Sequence, residues 1–471
     1  MQCQILVIFE GISDGSFRFH LHGKRFGVIV STMFSPAFSS ISLLRAVAAG
    51  SLLAVFSAQG ANWPSWRGLN DGSSIVQEAG LPTRWNATEN VKWRIDLPDR
   101  GNSTPVIWGE KIFLTQAIEA EKKRTLMCLS KRDGKLLWQQ EVVYDKAERT
   151  HRDNPYCAAS PVVDGQRVIV THGSAGVFCY DLNGKELWRR DLGAQAHEWG
   201  NASSPVLHGE QVFIYHGPGK GAFLAALDKK TGKDVWRFQE PTFDFSDRTD
   251  GFKGKKDGIE GSFSTPIVIQ ANGREELVMS FPKHVRAFDP KTGKELWHCD
   301  GLNPLVYTSL IYGDGVLVAM GGFFGNSLAV KPGGSGDVTA THRLWHTVRD
   351  KGGIGTGVIK DGHIYYHNSG SLFACLDLKT GKVLWEERAQ GVGAKASTWA
   401  SMLLVGDQIY MPNQSGDVVI LKANPKFELV AVNTVGEYSN STLAISDGEI
   451  FFRTWKGLWC ISPRKQTASL R

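Results

Sequence analysis

A tryptophan returns at the end of a Gly-Lys turn along most of this chain, and that recurrence restricts the folds open to it more than any other feature. The sharpest copies are Leu227-Asp228-Lys229-Lys230-Thr231-Gly232-Lys233-Asp234-Val235-Trp236 and Phe288-Asp289-Pro290-Lys291-Thr292-Gly293-Lys294-Glu295-Leu296-Trp297. Looser copies run Asp181–Trp188 and Asp377–Trp385, and a degenerate one runs Ser130–Trp138. From Trp93 through Trp138, Trp188, Trp236, Trp297 and Trp345 to Trp385, six steps cover 292 residues, about 49 per step. A period of that size, made of short apolar runs and turns, belongs to a propeller.

A second marker, Ser/Thr-Pro/Leu-aliphatic, lies between successive tryptophans, as in Ser103-Thr104-Pro105-Val106, Ser160-Pro161-Val162, Ser203-Ser204-Pro205-Val206 and Ser264-Thr265-Pro266-Ile267. Later copies lose the proline: Thr308-Ser309-Leu310, Ser401-Met402-Leu403 and Ser441-Thr442-Leu443. Each unit reads as four strands, A to D. Pro is tolerated at the start of strand A because the first residue need not donate to the ladder. Asp-x-x-Thr-Gly-Lys is the C–D turn, with Gly at a positive φ and Asp bonding back to the backbone. The tryptophan on strand D covers a neighbouring blade while its N–H finds an acceptor.

Strand-A markers fall near residues 105, 161, 205, 266, 309, 357, 402 and 442, which makes eight blades. Blade seven has an outer strand without tryptophan, Leu429-Val430-Ala431-Val432, and blade eight ends at Leu458-Trp459-Cys460-Ile461-Ser462 with no fourth strand. Asn90-Val91-Lys92-Trp93-Arg94-Ile95, meanwhile, stands unassigned at the front. The expected fold is therefore all-β, an eight-bladed propeller of four-stranded antiparallel blades over residues 90–463. Its N-terminal strand serves as strand D of blade eight, which removes the open seam.

Residues 1–60 do not repeat. The apolar stretch 43–56 follows a basic flank and precedes small residues, the pattern of a secretory signal, and is too short for a comfortable membrane span. Met33 offers an alternative start that makes 1–32 an extension. Residues 61–89 form a lead-in and 464–471 a tail. The expectation is an exported chain, periplasmic or extracellular, monomeric, with no transmembrane span once mature. Cys128, Cys179, Cys375 and Cys460 fall at the place that Ala226 and Ala287 take in other blades, so a small buried slot explains all of them better than disulfides do. Only Cys157 and Cys299 remain as a conceivable pair. The net charge of +6 is spread through the Gly-Lys turns, a solvated rim and not a nucleic-acid groove.

Propeller topology puts the D–A crossovers and B–C loops on one face, called the top, with the A–B and C–D turns on the other. The longest crossovers, 139–157, 192–202 and 240–262, are on top, where binding is usually found. Candidates ahead of the strands A are Asn102, Asn154, Tyr156, His197, Glu198, Trp199, Asn201, Tyr307, Trp399, Tyr438 and Asn440. They either converge on an axial funnel and hold a polar ring, a sugar or a peptide, or cap the innermost strands around water. Glu198, Asn201 and Asp153 have the oxygen chemistry of a Ca²⁺ shell, but no spacing enforces one. His151-Arg152-Asp153 and His197-Glu198 are not spaced like His-x-x-x-His metal ligands, and Lys-Thr-Gly-Lys is a β-turn and not a phosphate loop. The chain has almost no helical pattern on which to build a Gly-x-Ser-x-Gly elbow between strand and helix. No catalytic, metal or cofactor residues are assigned.

The Asp-x-x-Thr-Gly-Lys-x-x-Trp repeat resembles the pyrroloquinoline-quinone (PQQ) repeat of eight-bladed quinoprotein dehydrogenases, which also builds the propeller lipoprotein assisting outer-membrane barrel assembly. Phrases such as Asn62-Trp63-Pro64-Ser65-Trp66-Arg67-Gly68 and Gly301-Leu302-Asn303-Pro304-Leu305-Val306-Tyr307 make the chain similar to exported PQQ-like propellers of environmental bacteria. The resemblance implies the fold and two functions. One is a non-catalytic binding or scaffolding module with a protein, peptide or polysaccharide partner in the cell envelope. The other is an alcohol or sugar dehydrogenase using PQQ and Ca²⁺. Such dehydrogenases stack PQQ between a Trp and a disulfide of adjacent cysteines, and some append a Cys-x-x-Cys-His haem segment; this chain has neither cysteine motif.

Overall fold

The computed structural model describes residues 9–11, 17–21, 24–28 and 61–463, except 70, 77, 79, 255–258, 369 and 370. The chain divides into two units, Met1–Ala58 and Gln59–Arg471. In the first, Phe9–Gly11, Phe17–Leu21 and Lys24–Val28 form an antiparallel sheet. The apolar stretch 43–56, read as an export signal, and the tail 464–471 lie outside the described residues.

The second unit is an eight-bladed propeller. Strands A begin at Val106, Val162, Val206, Ile267, Ile311, Val358, Leu403 and Ala444, and B, C and D follow outward. In blade eight, Ala444–Ser446, Glu449–Arg453 and Gly457–Ile461 are completed by Val91–Asp96, with Cys460 opposite Trp93. The seam is closed as the sequence predicts.

One cross-strand pair repeats around the ring. The tryptophan of strand D faces a small residue on strand C: Cys128 with Trp138, Cys179 with Trp188, Ala226 with Trp236, Ala287 with Trp297, Ala329 with Trp345, Cys375 with Trp385 and Cys460 with Trp93. Blade seven inverts the sizes, pairing Ile420 with Ala431. Each pair has one large and one small member because directly opposed side chains share a fixed space. The six described cysteines are free, including Cys157 and Cys299.

The indole N–H then reaches the next blade. Trp93, Trp138, Trp188, Trp236 and Trp345 donate to the carbonyls of Lys131, Leu182, Lys229, Pro290 and Leu378, at 2.9 to 3.1 Å. Each acceptor lies in the following C–D turn, whose glycine must also make room. A Cβ on Gly232 (φ +68°) falls 2.6 Å from the Trp188 ring, and one on Gly293 (φ +71°) falls 2.4 Å from Trp236. The Gly-Lys turn thus requires glycine twice, for its φ and for the neighbour's indole.

Two of the seven tryptophans dock differently. Blade five lacks the Gly-Lys turn; Gly336–Asp337 instead adds a parallel strand to blade four, and Trp297 donates to Glu276 Oε2 within its own blade at 2.9 Å. Trp385 meets Phe427 edge-on, and its buried N–H has no partner among the described residues.

The Ser/Thr marker has its own role at the hub. The backbone N–H of Thr104, Ser160, Ser204, Thr265 and Ser309 donates to the hydroxyl of the next blade's marker, Ser160, Ser204, Thr265, Ser309 and Thr356 in turn, at 2.8 to 3.3 Å. Ser401 N–H likewise donates to Thr442 Oγ1 at 2.9 Å. This belt satisfies main-chain donors where adjacent blades splay too far apart for sheet bonding.

The lead-in does more than lead in. Trp63 bridges Ile107 of blade one. The Pro64, Gly72 and Ser74 carbonyls accept from Val163, Tyr312 and Leu404 of blades two, five and seven, and Ile75–Val76 runs parallel to Leu404–Val405. Buried Arg67 donates to the Leu310 and Gly357 carbonyls of blades five and six. Residues 62–69 and 71–76 therefore cross the bottom of the hub as a plug and pair inner strand edges that a ring leaves open.

Candidate functional site

Above the plug the hub opens into a cavity of about 280 Å³. Its inner ring follows a simple register. The residue two before each belt hydroxyl lines it: Asn102, Ala158, Ala202, Phe263, Tyr307, Ile354, Trp399 and Asn440, from blades one to eight in order. Positions two apart in extended chain face the same way, so belt and lining share one face. Blades four to seven give an apolar arc, blades eight and one give amides, and the alanines of blades two and three leave space.

Crossover and loop residues fill out the upper tier: His151, Asn154, Trp199, Phe252 and Phe323. Trp66 of the plug supplies the floor. Tyr307 stacks on Phe263 (5.8 Å, 4°) and on Trp199 (6.3 Å, 20°), while Trp399 sits 5.1 Å from His151. Among the described residues, no Asp, Glu, Lys or Arg lines the cavity.

Six of the eleven candidates named from the sequence are lining residues: Asn102, Asn154, Trp199, Tyr307, Trp399 and Asn440. The other five stand elsewhere. Tyr156 donates its hydroxyl to the Glu148 carbonyl beneath Arg124. His197 is buried behind the wall and accepts the Trp199 N–H on Nδ1 at 3.2 Å; burial lowers its pKa to about 4, so the ring is neutral and holds Trp199 in place. Glu198 lies exposed in a shallow depression beside the mouth, with Arg149 and Arg152. Asn201 packs against Gly173. Tyr438 donates to Asp153 Oδ1 at 3.0 Å and rests on Trp455.

Asp153 is a clamp for the crossover from blade one to blade two. Its carbonyl accepts from Asn102 Nδ2 (2.7 Å) and Asn440 Nδ2 (3.3 Å), and its second carboxylate oxygen accepts from Arg152 Nε. Glu198, Asn201 and Asp153 are thus not gathered around one point. Among the described residues, no three His, Cys, Asp or Glu side chains form a metal site.

The hydrogen-bonding atoms left over in the cavity are few. Ser160, Ser204, Thr265 and Thr356 are each at most 5 % exposed and accept in the belt, yet none donates its hydroxyl proton to a described protein atom. Asn154 spends its Nδ2 on the Trp199 carbonyl, which leaves Oδ1 unpaired among the described residues. Trp66, Phe252, Phe263, Phe323 and Ile354 line the cavity without having been expected there. The register rule was there to find Phe263 and Ile354, whereas nothing local marks Trp66 as a hub residue.

The family model described as outer membrane protein assembly factor BamB matches residues 43–159, 122–250 and 282–468. Tetrathionate hydrolase of Acidithiobacillus ferrooxidans is 23% identical over 300 residues, 61% of this chain and 47% of that protein, so the chain spans about half the length of this curated relative. Among solved structures, BamB from Moraxella catarrhalis matches with a TM-score of 0.54 at 12% identity, covering 79% of this chain and 97% of that one. Quinohemoprotein alcohol dehydrogenase from Comamonas testosteroni matches at 0.60 and 12% identity, covering 86% and 81%. These two likenesses are of fold.

Proposed function

The chain belongs to the family of the outer membrane protein assembly factor BamB, and on that footing we propose that it is a binding module of the cell envelope without catalysis of its own, holding an uncharged ligand or partner segment in the hub funnel. The carrying observation is the lining: aromatic rings and amides around hydroxyls whose oxygens accept in the belt, with no carboxylate, ammonium or guanidinium among the described residues. Such a surface binds by burial and hydrogen bonding; its one imidazole among the described residues, His151, packs against Trp399 and accepts the Asp153 N–H on Nδ1, with no hydroxyl or thiol nucleophile hydrogen-bonded to it. Export is part of the proposal, supported by the family description and by the apolar stretch 43–56.

The dehydrogenase alternative requires PQQ and Ca²⁺, and the residues here do not fit them. Ca²⁺ takes six to eight oxygens, usually with several carboxylates, whereas Glu198 lies outside the funnel and Asp153 is occupied by Tyr438 and Arg152. PQQ carries carboxylates of its own, and the described lining has no Lys or Arg to meet them. The same lack disfavours a dianion such as tetrathionate, which would lose its hydration against aromatic walls. The test supplies purified protein with PQQ, Ca²⁺ and an alcohol or sugar while reduction of an acceptor dye is followed. No reduction above the protein-free rate is expected. Turnover that depends on added PQQ and Ca²⁺ would overturn the proposal.

A further inference from the structure

We propose that the funnel's ligand is an uncharged pyranose ring, a residue of a neutral glycan that enters from the open top. This deepens the binding-module reading and rests on it. A pyranose is two-faced: its C–H faces are apolar and its rim carries hydroxyls that both donate and accept. The funnel is divided in the same way. Phe263, Tyr307 and Trp399 belong to the apolar arc, and Trp199, from the crossover into blade three, stacks on Tyr307.

At the foot of those walls lie the hydroxyls of Ser160, Ser204, Thr265 and Thr356, each more than nine-tenths buried and each with its proton uncommitted among the described residues. Their oxygens are held by neighbouring N–H groups at 2.8 to 3.3 Å, which fixes four donors in place before any ligand arrives. Asn154 Oδ1 is the complementary acceptor on the rim. Ligand hydroxyl oxygens are neutral acceptors that these donors satisfy, whereas an ionic group would be left without a counter-charge.

Size agrees. The cavity of about 280 Å³ falls just below the roughly 300–1,000 Å³ typical of drug-sized ligand sites. It has room for a ring with its nearest neighbour and not for a folded peptide. Trp66 closes the bottom, so a glycan can present an end or a bend to the floor but cannot thread through the ring.

The experiment is calorimetric titration of the whole protein with cellotetraose, maltotetraose and chitotetraose, with tetragalacturonate as the anionic control and an end-blocked peptide of alternating Ala and Phe as the protein-like control. At least one neutral tetrasaccharide should bind and quench tryptophan fluorescence, and tetragalacturonate should not. Trp199→Ala should weaken binding roughly tenfold, the scale of one lost stacking ring. Because removing a wall ring also perturbs packing, Ala202→Phe, which fills the cavity and removes nothing, should abolish binding with the melting temperature kept. Binding of the peptide or of tetragalacturonate in preference to every neutral sugar would overturn the proposal, as would no sugar binding at all. Both outcomes leave the non-catalytic reading intact unless the PQQ assay also shows turnover, so the two failures are distinguishable.

Discussion

At the scale of single residues, the ring depends on complementary sizes. Trp188 packs in an aligned slot, donates to Lys229 and presses on Gly232, so Trp188→Ala should cost about 3–5 kcal/mol in denaturant unfolding. Trp385 has no acceptor for its N–H among the described residues, and Trp385→Ala should cost less by about 1 kcal/mol, the net worth of one hydrogen bond. Equal losses would remove the hydrogen bond from the docking account. The thiols opposite the tryptophans give a pH signature. Burial pushes Cys128, Cys179 and Cys375 up from an ordinary 9 to about 12. Folded thiols thus stay protonated while unfolded ones ionise, and stability should be full below pH 9 and fall as pH rises from 9 towards 12. Replacing Cys179 with Ala should flatten that alkaline limb in unfolding curves taken across this range. An unchanged slope would contradict the burial assigned to the thiol.

At the scale of elements, the plug and the last seam carry the positional order of the hub. Arg67 is fully buried, and its two donors hold blades five and six to the plug; Arg67→Ala should destabilise by about 2–3 kcal/mol through two orphaned carbonyls. It should also speed hydrogen exchange at Leu404, whose N–H is bound to Ser74 of the plug. Exchange at Leu404 as slow as in the parent would show that the plug is not a unit. Across the seam, Arg453 of blade eight is buried and donates to Ser103, Thr115 and Gln116 of blade one. Burial lowers its pKa to about 9, and the bonds to blade one hold the guanidinium there despite that cost. Neither arginine was visible as structural in the sequence, because each has main-chain partners hundreds of positions away.

At the scale of the whole molecule, the blade count, the strand order and the closing strand were all legible, because each blade restates the same local chemistry and a ring has few ways to end. The docking of Trp93 onto Lys131 follows from the same repeat that places Trp188 on Lys229. Trp297 and Trp385 depart from it where the next blade has lost its Gly-Lys turn, a loss already written in Lys331-Pro332-Gly333 and Asn424-Pro425-Lys426. The funnel was half legible. Strand register places Asn102, Tyr307, Trp399 and Asn440, but crossover residues such as Glu198 and Tyr438 take directions that only packing decides, and Trp66 arrives from outside the repeat. All of this depends on one continuous ring sealed by Val91–Asp96. The most direct test compares the thermal unfolding and solubility of a chain beginning at Glu89, which lacks the plug but keeps the closing strand, with those of one beginning at Leu97. The shorter chain should expose the Gly457–Ile461 edge and aggregate or melt far below the longer one. An unchanged melting temperature in a soluble monomer would contradict the closure, and with it the faces and the funnel.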